Sequence, residues 1–210
     1  MGLLLQKTNI VRDYLEDLNE GRTFWPREVW SQYAHSQRLD FFAANPDDPQ
    51  SLACLHHLIL DALRHLPAAL AGLGEMTNQK VFSSCAMPVM MALATLEEMA
   101  GNTRVFKGRV KIRKGLAAKI MILCQDRDYA IRFCEGRAIS IREKMVKSVQ
   151  HRSLDVVEVE TGYETSKAPP NTMGFNGNSW IFVLIMFCLY MFSRFEQNTD
   201  IGLDLLSITR

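Results

Sequence analysis

No C-x-x-C pair occurs in the 210 residues, and the five cysteines, Cys54, Cys85, Cys124, Cys134 and Cys188, stand apart with no histidine at ligand spacing. That favours free, buried thiols in a reduced compartment over a disulfide frame or a zinc site. Charge of one sign is also lacking. Twenty-four Lys and Arg against 23 Asp and Glu leave a net charge of +1, which gives no reason to expect nucleic acid or an acidic partner. There is no G-x-G-x-x-G, so a Rossmann fold is not indicated. No basic-then-apolar signal peptide opens the chain. Leu3-Leu4-Leu5 is followed at once by Gln6-Lys7, which fits an amphipathic helix better than a targeting segment.

What is present is helical periodicity. The spacing predicts a first helix that ends near Leu18–Gly21, where Gly21 and then Pro26 break it. An aromatic-rich helix restarts at Phe24-Trp25-Pro26 with Val29-Trp30, and residues 44–50 (ANPDDPQ) read as a loop. Ser51 is the expected N-cap of the next helix, whose stripe runs through Leu52, Leu55, Ile59, Ala62 and Leu66. His56, His57 and His65 lie on or beside it. Adjacent histidines point to different faces, so these three read as structural or solvated. Residues 78–100 form a strongly apolar helix with Pro88 inside it, where a kink is expected. By spacing alone, its Met87, Met90, Met91 and Met99 are core. Residues 116–149 read as one further helix.

Two stretches carry chemistry. In the opening helix Asn9, Asp13 and Asp17 recur every four residues and share one face, with Glu16 one step around. Two carboxylates so placed repel unless a cation lies between them. Mg²⁺ takes one or two carboxylates plus substrate phosphates, and Arg12 and Arg22 supply the forked donors a diphosphate needs. The other reading of the same spacing is a solvated acidic face. The second stretch, residues 105–115 (VFKGRVKIRKG), alternates Lys107, Arg109, Lys111 and Arg113 with Val, Ile or Gly at period two. It is an extended basic segment, either solvated or an anion patch.

After a polar linker at 150–179, with Pro169-Pro170, Gly174 and Gly177, comes a run of thirteen apolar residues from Trp180 to Phe192. A full span needs about 20, so a buried core helix competes with a short membrane anchor. The preceding linker, the polar tail and Trp180 and Tyr190 at the ends favour the anchor. Asp200 and Asp204 repeat the D-x-x-x-D spacing without its surroundings and read as coincidence.

The run MGLLLQKTNIVRDYLEDLNEGRTFWPREVW resembles the second aspartate-rich motif of the squalene synthase family. The likeness continues through residues 62–67, 78–96 and 105–115, covering roughly residues 1–120, and fades to pattern beyond. It implies an all-α fold: part of an isoprenoid-synthase bundle over 1–149, a linker at 150–179, a C-terminal transmembrane helix at 180–193 and a tail at 194–210. It implies head-to-head condensation of two farnesyl diphosphates to presqualene diphosphate, then NADPH-dependent rearrangement to squalene. Asp13 and Asp17 become the Mg²⁺ ligands, Arg12 and Arg22 the diphosphate contacts, and Gln6 and Asn9 weaker members of that wall. Lys111 and Arg113 become the contacts to NADPH phosphates, and the helix 78–100 faces the hydrocarbon pocket. The family also has two phenylalanines one residue apart before its Cys-Ala pair. Here Phe82 keeps the first and Ser84 replaces the second, which puts the reductive half-reaction in doubt. The family's first aspartate-rich motif is not among these residues, so a fragment, inactive alone, is expected. The protein is expected to be a monomer in the endoplasmic reticulum membrane, with its catalytic part cytosolic and no nucleic-acid partner. A phytoene synthase-like prenyltransferase and a membrane-anchored, non-catalytic remnant are the alternatives.

Overall fold

A computed structural model describes residues 1–150. The expected linker beyond Gln150, the anchor at 180–193, the tail and Asp200/Asp204 lie outside the described residues. Among the described residues there is helix and no strand: α1 (Gly2–Arg12), α2 (Tyr14–Asn19), α3 (Arg27–Trp30), α4 (Phe41–Ala44), α5 (Pro49–Leu63), α6 (Leu66–Gly74), α7 (Gln79–Met99), a 3₁₀ turn (Thr103–Phe106), α8 (Lys114–Leu123) and α9 (Arg127–Gln150). The all-α expectation holds for this part of the chain. No described helix is long and apolar enough to cross a membrane.

The axis of the packing is α7. Asn78 caps its start, with Oδ1 accepting from the Lys80 and Val81 amides at 2.9 and 3.2 Å. Phe82, Ala86, Val89, Met90, Leu93 and Leu96 are removed from water along its length. Each large apolar side chain so buried contributes about 1.5–3 kcal/mol. α7 packs chiefly on α9 and α1, and α1 packs also on α5. Met90 and Met99 are core, whereas Met87 and Met91 are half-buried. The helix continues through Pro88, whose missing N–H leaves the Ser84 carbonyl without its usual donor.

Several boundaries differ from the sequence reading. Asp48 rather than Ser51 caps α5: its Oδ1 accepts from the Gln50 amide at 2.7 Å, with Pro49 in the first turn. Ser51 is buried inside the helix and donates to the Asn45 carbonyl. The stretch 116–149 is two helices, because Asp126 starts α9 by accepting from the Tyr129 amide at 2.9 Å. The aromatic helix after Pro26 is a single turn. The histidines are structural at two positions: His57 Nδ1 lies 2.9 Å from the Tyr33 hydroxyl, and buried His56 faces Ser148. At His65, burial first and then the Lys7 and Arg64 charges favour the neutral ring.

The turn after α7 packs closely on α9. Gly101 has φ +72°, and a Cβ there would lie 2.8 Å from the Ser148 Cβ and 3.3 Å from the Lys144 carbonyl. Both the left-handed backbone and the α9 contact require glycine.

Candidate functional site

The opening helix is interrupted at Asp13, where the sequence predicts it to be continuous. The physical reason is tertiary. The Trp25 indole donates to the Ile10 carbonyl at 3.0 Å, at the point where regular helix gives way to a turn. The row of acids survives the interruption. Asp13 N donates to Asn9 O and Asp17 N to Asp13 O, both at 2.9 Å, so Asn9, Asp13 and Asp17 keep their four-residue register. Beyond them the helix closes at Gly21, with φ +71° and the Arg22 amide donating back to the Asp17 carbonyl at 2.7 Å.

Behind the row stands an aromatic cluster. Tyr14 and Trp25 rings lie 4.5 Å apart between centroids, and Phe42 and Phe106 complete the group. The Tyr14 hydroxyl donates to the Leu39 carbonyl at 2.7 Å and accepts from the Ala43 amide at 3.2 Å. The residue next to Asp13 is therefore fixed from three directions.

Each aspartate holds an arginine. Arg12 Nε and Nη2 donate to Asp13 Oδ1 and Oδ2 at 2.8 and 2.7 Å. Arg22 Nε and Nη2 donate to Asp17 Oδ1 at 3.0 and 2.8 Å, and its Nη1 to Glu20. The Asp17 hydrogen bonds are the main reason that Arg22 holds its proton more firmly than an ordinary arginine. The Asp17 side chain is 11% exposed and that of Asp13 28%. Asn9 is half-buried and Gln6 exposed on the same helix. The structure thus brings Arg12, Asp13, Asp17 and Arg22 into one charged strip.

The donor set fits a hard cation. No group of three or more Asp, Glu, His or Cys that could hold a metal occurs among the described residues. Two carboxylates in helical register match the sparser protein coordination that Mg²⁺ accepts when phosphates complete its shell.

The basic segment keeps its alternation. Val110 is buried, Ile112 half-buried, and Arg109, Lys111 and Arg113 are exposed. The four cations are not equivalent. Lys107 pairs with Asp47 at 2.8 Å, and Arg109 pairs with Glu16 of α2 at 2.5 Å. Lys111 and Arg113 have no ion pair among the described residues. A cleft of about 320 Å³ lies between α2 and this segment, with Arg12, Asp13, Glu16, Gly108 and Arg109 on its walls. Pairing across 93 positions leaves no local signal, and the sequence reading missed the Glu16–Arg109 contact.

Phe82 and Ser84 do not converge. The Phe82 ring is fully buried, with the Arg127 guanidinium 4.3 Å from its centroid. Ser84 is exposed and donates to the Lys80 carbonyl at 2.9 Å. The aromatic face of Phe82 is already occupied by a cation of the chain itself.

Residues 1–115 match the squalene/phytoene synthase family. The chain is 51% identical over 122 residues to the squalene synthase of Homo sapiens, covering 58% of this chain and 29% of that protein. It is 49% identical over 123 residues to the squalene synthase ERG9 of Saccharomyces cerevisiae, covering 58% and 27%. The solved complex of TcSQS with ligand BPH1237 superposes with a TM-score of 0.66 at 31% identity, covering 72% of this chain and 46% of that one. The match thus spans about three-tenths of the length of these two relatives, and on it the chain belongs to the squalene/phytoene synthase family.

Proposed function

We propose that residues 1–115 furnish one wall of a prenyl diphosphate site, for head-to-head joining of two farnesyl diphosphates through presqualene diphosphate to squalene. The observation that carries this is the paired strip on α1 and α2: two carboxylates in helical register, each holding a forked arginine. Asp13 and Asp17 would hold Mg²⁺, which neutralises charge on the departing diphosphate. Arg12 and Arg22 turn from those carboxylates to the diphosphate oxygens, with Gln6 and Asn9 beside them. Lys111 and Arg113 would hold the phosphates of NADPH, the hydride source for the second step. Phe82, held by Arg127, lines the apolar side by position, and Ser84 offers no π-face to a carbocation. Residues 180–193 would anchor the chain in the endoplasmic reticulum membrane, as a monomer with this wall on the cytosolic side.

The segment with exposed Lys111 and Arg113 favours this reading over a phytoene synthase-like one, which needs no NADPH. We also propose that the 210 residues alone do not turn over. Outside the strip, Asp47 is tied to Lys107, Asp48 caps α5 and Glu97 is engaged inside the fold.

The test is calorimetry of inorganic pyrophosphate with the full chain in mild detergent, with and without Mg²⁺. Binding that requires Mg²⁺ and weakens about tenfold or more in Asp13→Asn and Asp17→Asn is expected, the usual scale for losing a positioned charge. Binding indifferent to Mg²⁺ or to both substitutions refutes the metal role. Squalene formed from farnesyl diphosphate, Mg²⁺ and NADPH would show that this chain holds a complete site.

A further inference from the structure

We infer that Glu16 and Arg109 form a positioning pair that ties the basic segment to the aspartate helix and so decides where Lys111 and Arg113 stand. The segment leaves the core at Phe106, which is buried in the aromatic cluster with Tyr14. Between that anchor and Lys111 two contacts hold it. Val110 is buried, 6% exposed, and Arg109 meets Glu16 at 2.5 Å. The Glu16 side chain is 16% exposed and that of Arg109 43%, so the pair is partly screened, with its acid less so than a surface acid. The other pair, Lys107 with Asp47, has side chains 52% and 69% exposed and holds little by comparison.

The division of labour follows from period two. Arg109, Lys111 and Arg113 fall on one side of an extended segment and Val110 on the other. Fixing Arg109 at Glu16 and Val110 in the core sets both position and facing for the next two cations. Glu16 shares its helix with Asp17 and sits one turn from Asp13. The short helix α2 therefore carries Asp17 beside Glu16, one turn past Asp13, and aims the basic segment. Glu16 acts through Arg109 and is not a metal ligand in this arrangement. Without the pair, Lys111 and Arg113 would be held only by Val110 on one side and by the start of α8 on the other, where the Ala117 amide donates to the Arg113 carbonyl at 3.0 Å, and an anion bound by them would bear more of the cost of ordering the segment.

The consequence for ligand binding rests on the reading of Lys111 and Arg113 as NADPH contacts, so the experiment separates the two. Trypsin cuts after lysine and arginine, and residues 107–114 hold five such sites. The full chain in mild detergent is digested briefly and its cuts are followed by mass spectrometry, while NADPH affinity is read from fluorescence. In Glu16→Gln, cutting within 107–114 should accelerate about threefold to fivefold, the range a partly screened ion pair can shift an equilibrium. Cuts at Lys7 and Arg64 should not change. NADPH affinity should fall by a similar factor, Arg109→Gln should reproduce the loss, and Arg109→Lys should restore most of it. Unchanged cutting at Lys107, Lys111, Arg113 and Lys114, the sites present in every variant, in both Glu16→Gln and Arg109→Gln overturns the pair. Faster cutting with NADPH affinity equal to the parent's overturns its positioning role. Faster cutting with no NADPH binding even by the parent leaves the tether standing and removes the cofactor reading instead. If Glu16→Gln is cut everywhere, Arg109→Gln, which leaves α2 untouched, decides alone.

Discussion

Replacing Glu97 by glutamine is the sharpest perturbation of what holds α7 in place. Glu97 is 5% exposed and draws three residues of α9 to itself. Arg137 donates to Oε2, the Ser140 hydroxyl donates to Oε1 at 2.6 Å, and Lys144 Nζ lies 3.5 Å from Oε1. Glutamine keeps the shape but loses the charge and sets an NH₂ donor against one of these donors. Breaking a buried pair commonly costs about 3–5 kcal/mol when the orphaned charge stays buried. Here the Arg137 and Lys144 side chains are 29% and 42% exposed, so water recovers part of that. A loss of about 1.5–3 kcal/mol is expected from the reduced penalty, or about 5–10 °C in melting temperature. Acid provides the control. Burial alone would raise the Glu97 carboxyl, but the hydrogen bonds from Ser140 and Arg137 and the charges of Arg137 and Lys144 outweigh it and hold it below the ordinary carboxylate value. A depressed folded value gives stability that is present above the unfolded value of about 4.3 and lost as pH falls through the folded one. Urea melts followed by helical circular dichroism at pH 7 and pH 3.5 read both effects. The gap between parent and variant should be full at pH 7 and shrink at pH 3.5. A gap below about 0.5 kcal/mol at pH 7, within the range of an ordinary surface change, or one equal at both pH values, refutes the argument.

Two further outcomes test other parts. Tyr14→Phe leaves the Leu39 carbonyl and Ala43 amide without their shared hydroxyl and should cost about 1–2 kcal/mol in the same melts; no loss would mean the hydroxyl holds nothing. Residues 168–197 are expected to retain a tagged chain in the membrane pellet after carbonate extraction, because of the charge-free run from Trp180 to Phe192; full recovery in the soluble fraction rules the anchor out.

Local chemistry was legible and long-range pairing was not. The four-residue register of Asn9, Asp13 and Asp17 and the buried-exposed alternation at Val110 and Lys111 are properties of backbone geometry, readable wherever residue types repeat at the right period. The Asp48 cap was also open to reading, since Pro49 marks a first helical turn. The interruption at Asp13 was not readable, because its cause is the Trp25 indole, fifteen residues from the Ile10 carbonyl to which it bonds. Charge partners were equally opaque. Three arginines and several acids permit many pairings, and only the fold sends Arg12 to Asp13, Arg22 to Asp17 and Arg109 to Glu16. The burial of Phe82 under Arg127 likewise depends on where α9 begins, which no spacing within α7 could reveal.

The turn at Gly101 limits how this part of the chain can change over evolutionary time. A residue with a side chain there needs two accommodations at once: relief of the left-handed backbone, and withdrawal of Ser148 by several tenths of an ångström. Neither alone suffices, so a side chain at residue 101 requires both changes together. The same turn launches the path through Phe106 to the basic segment. The point from which the segment departs is therefore fixed by glycine, whatever side chains the segment itself carries.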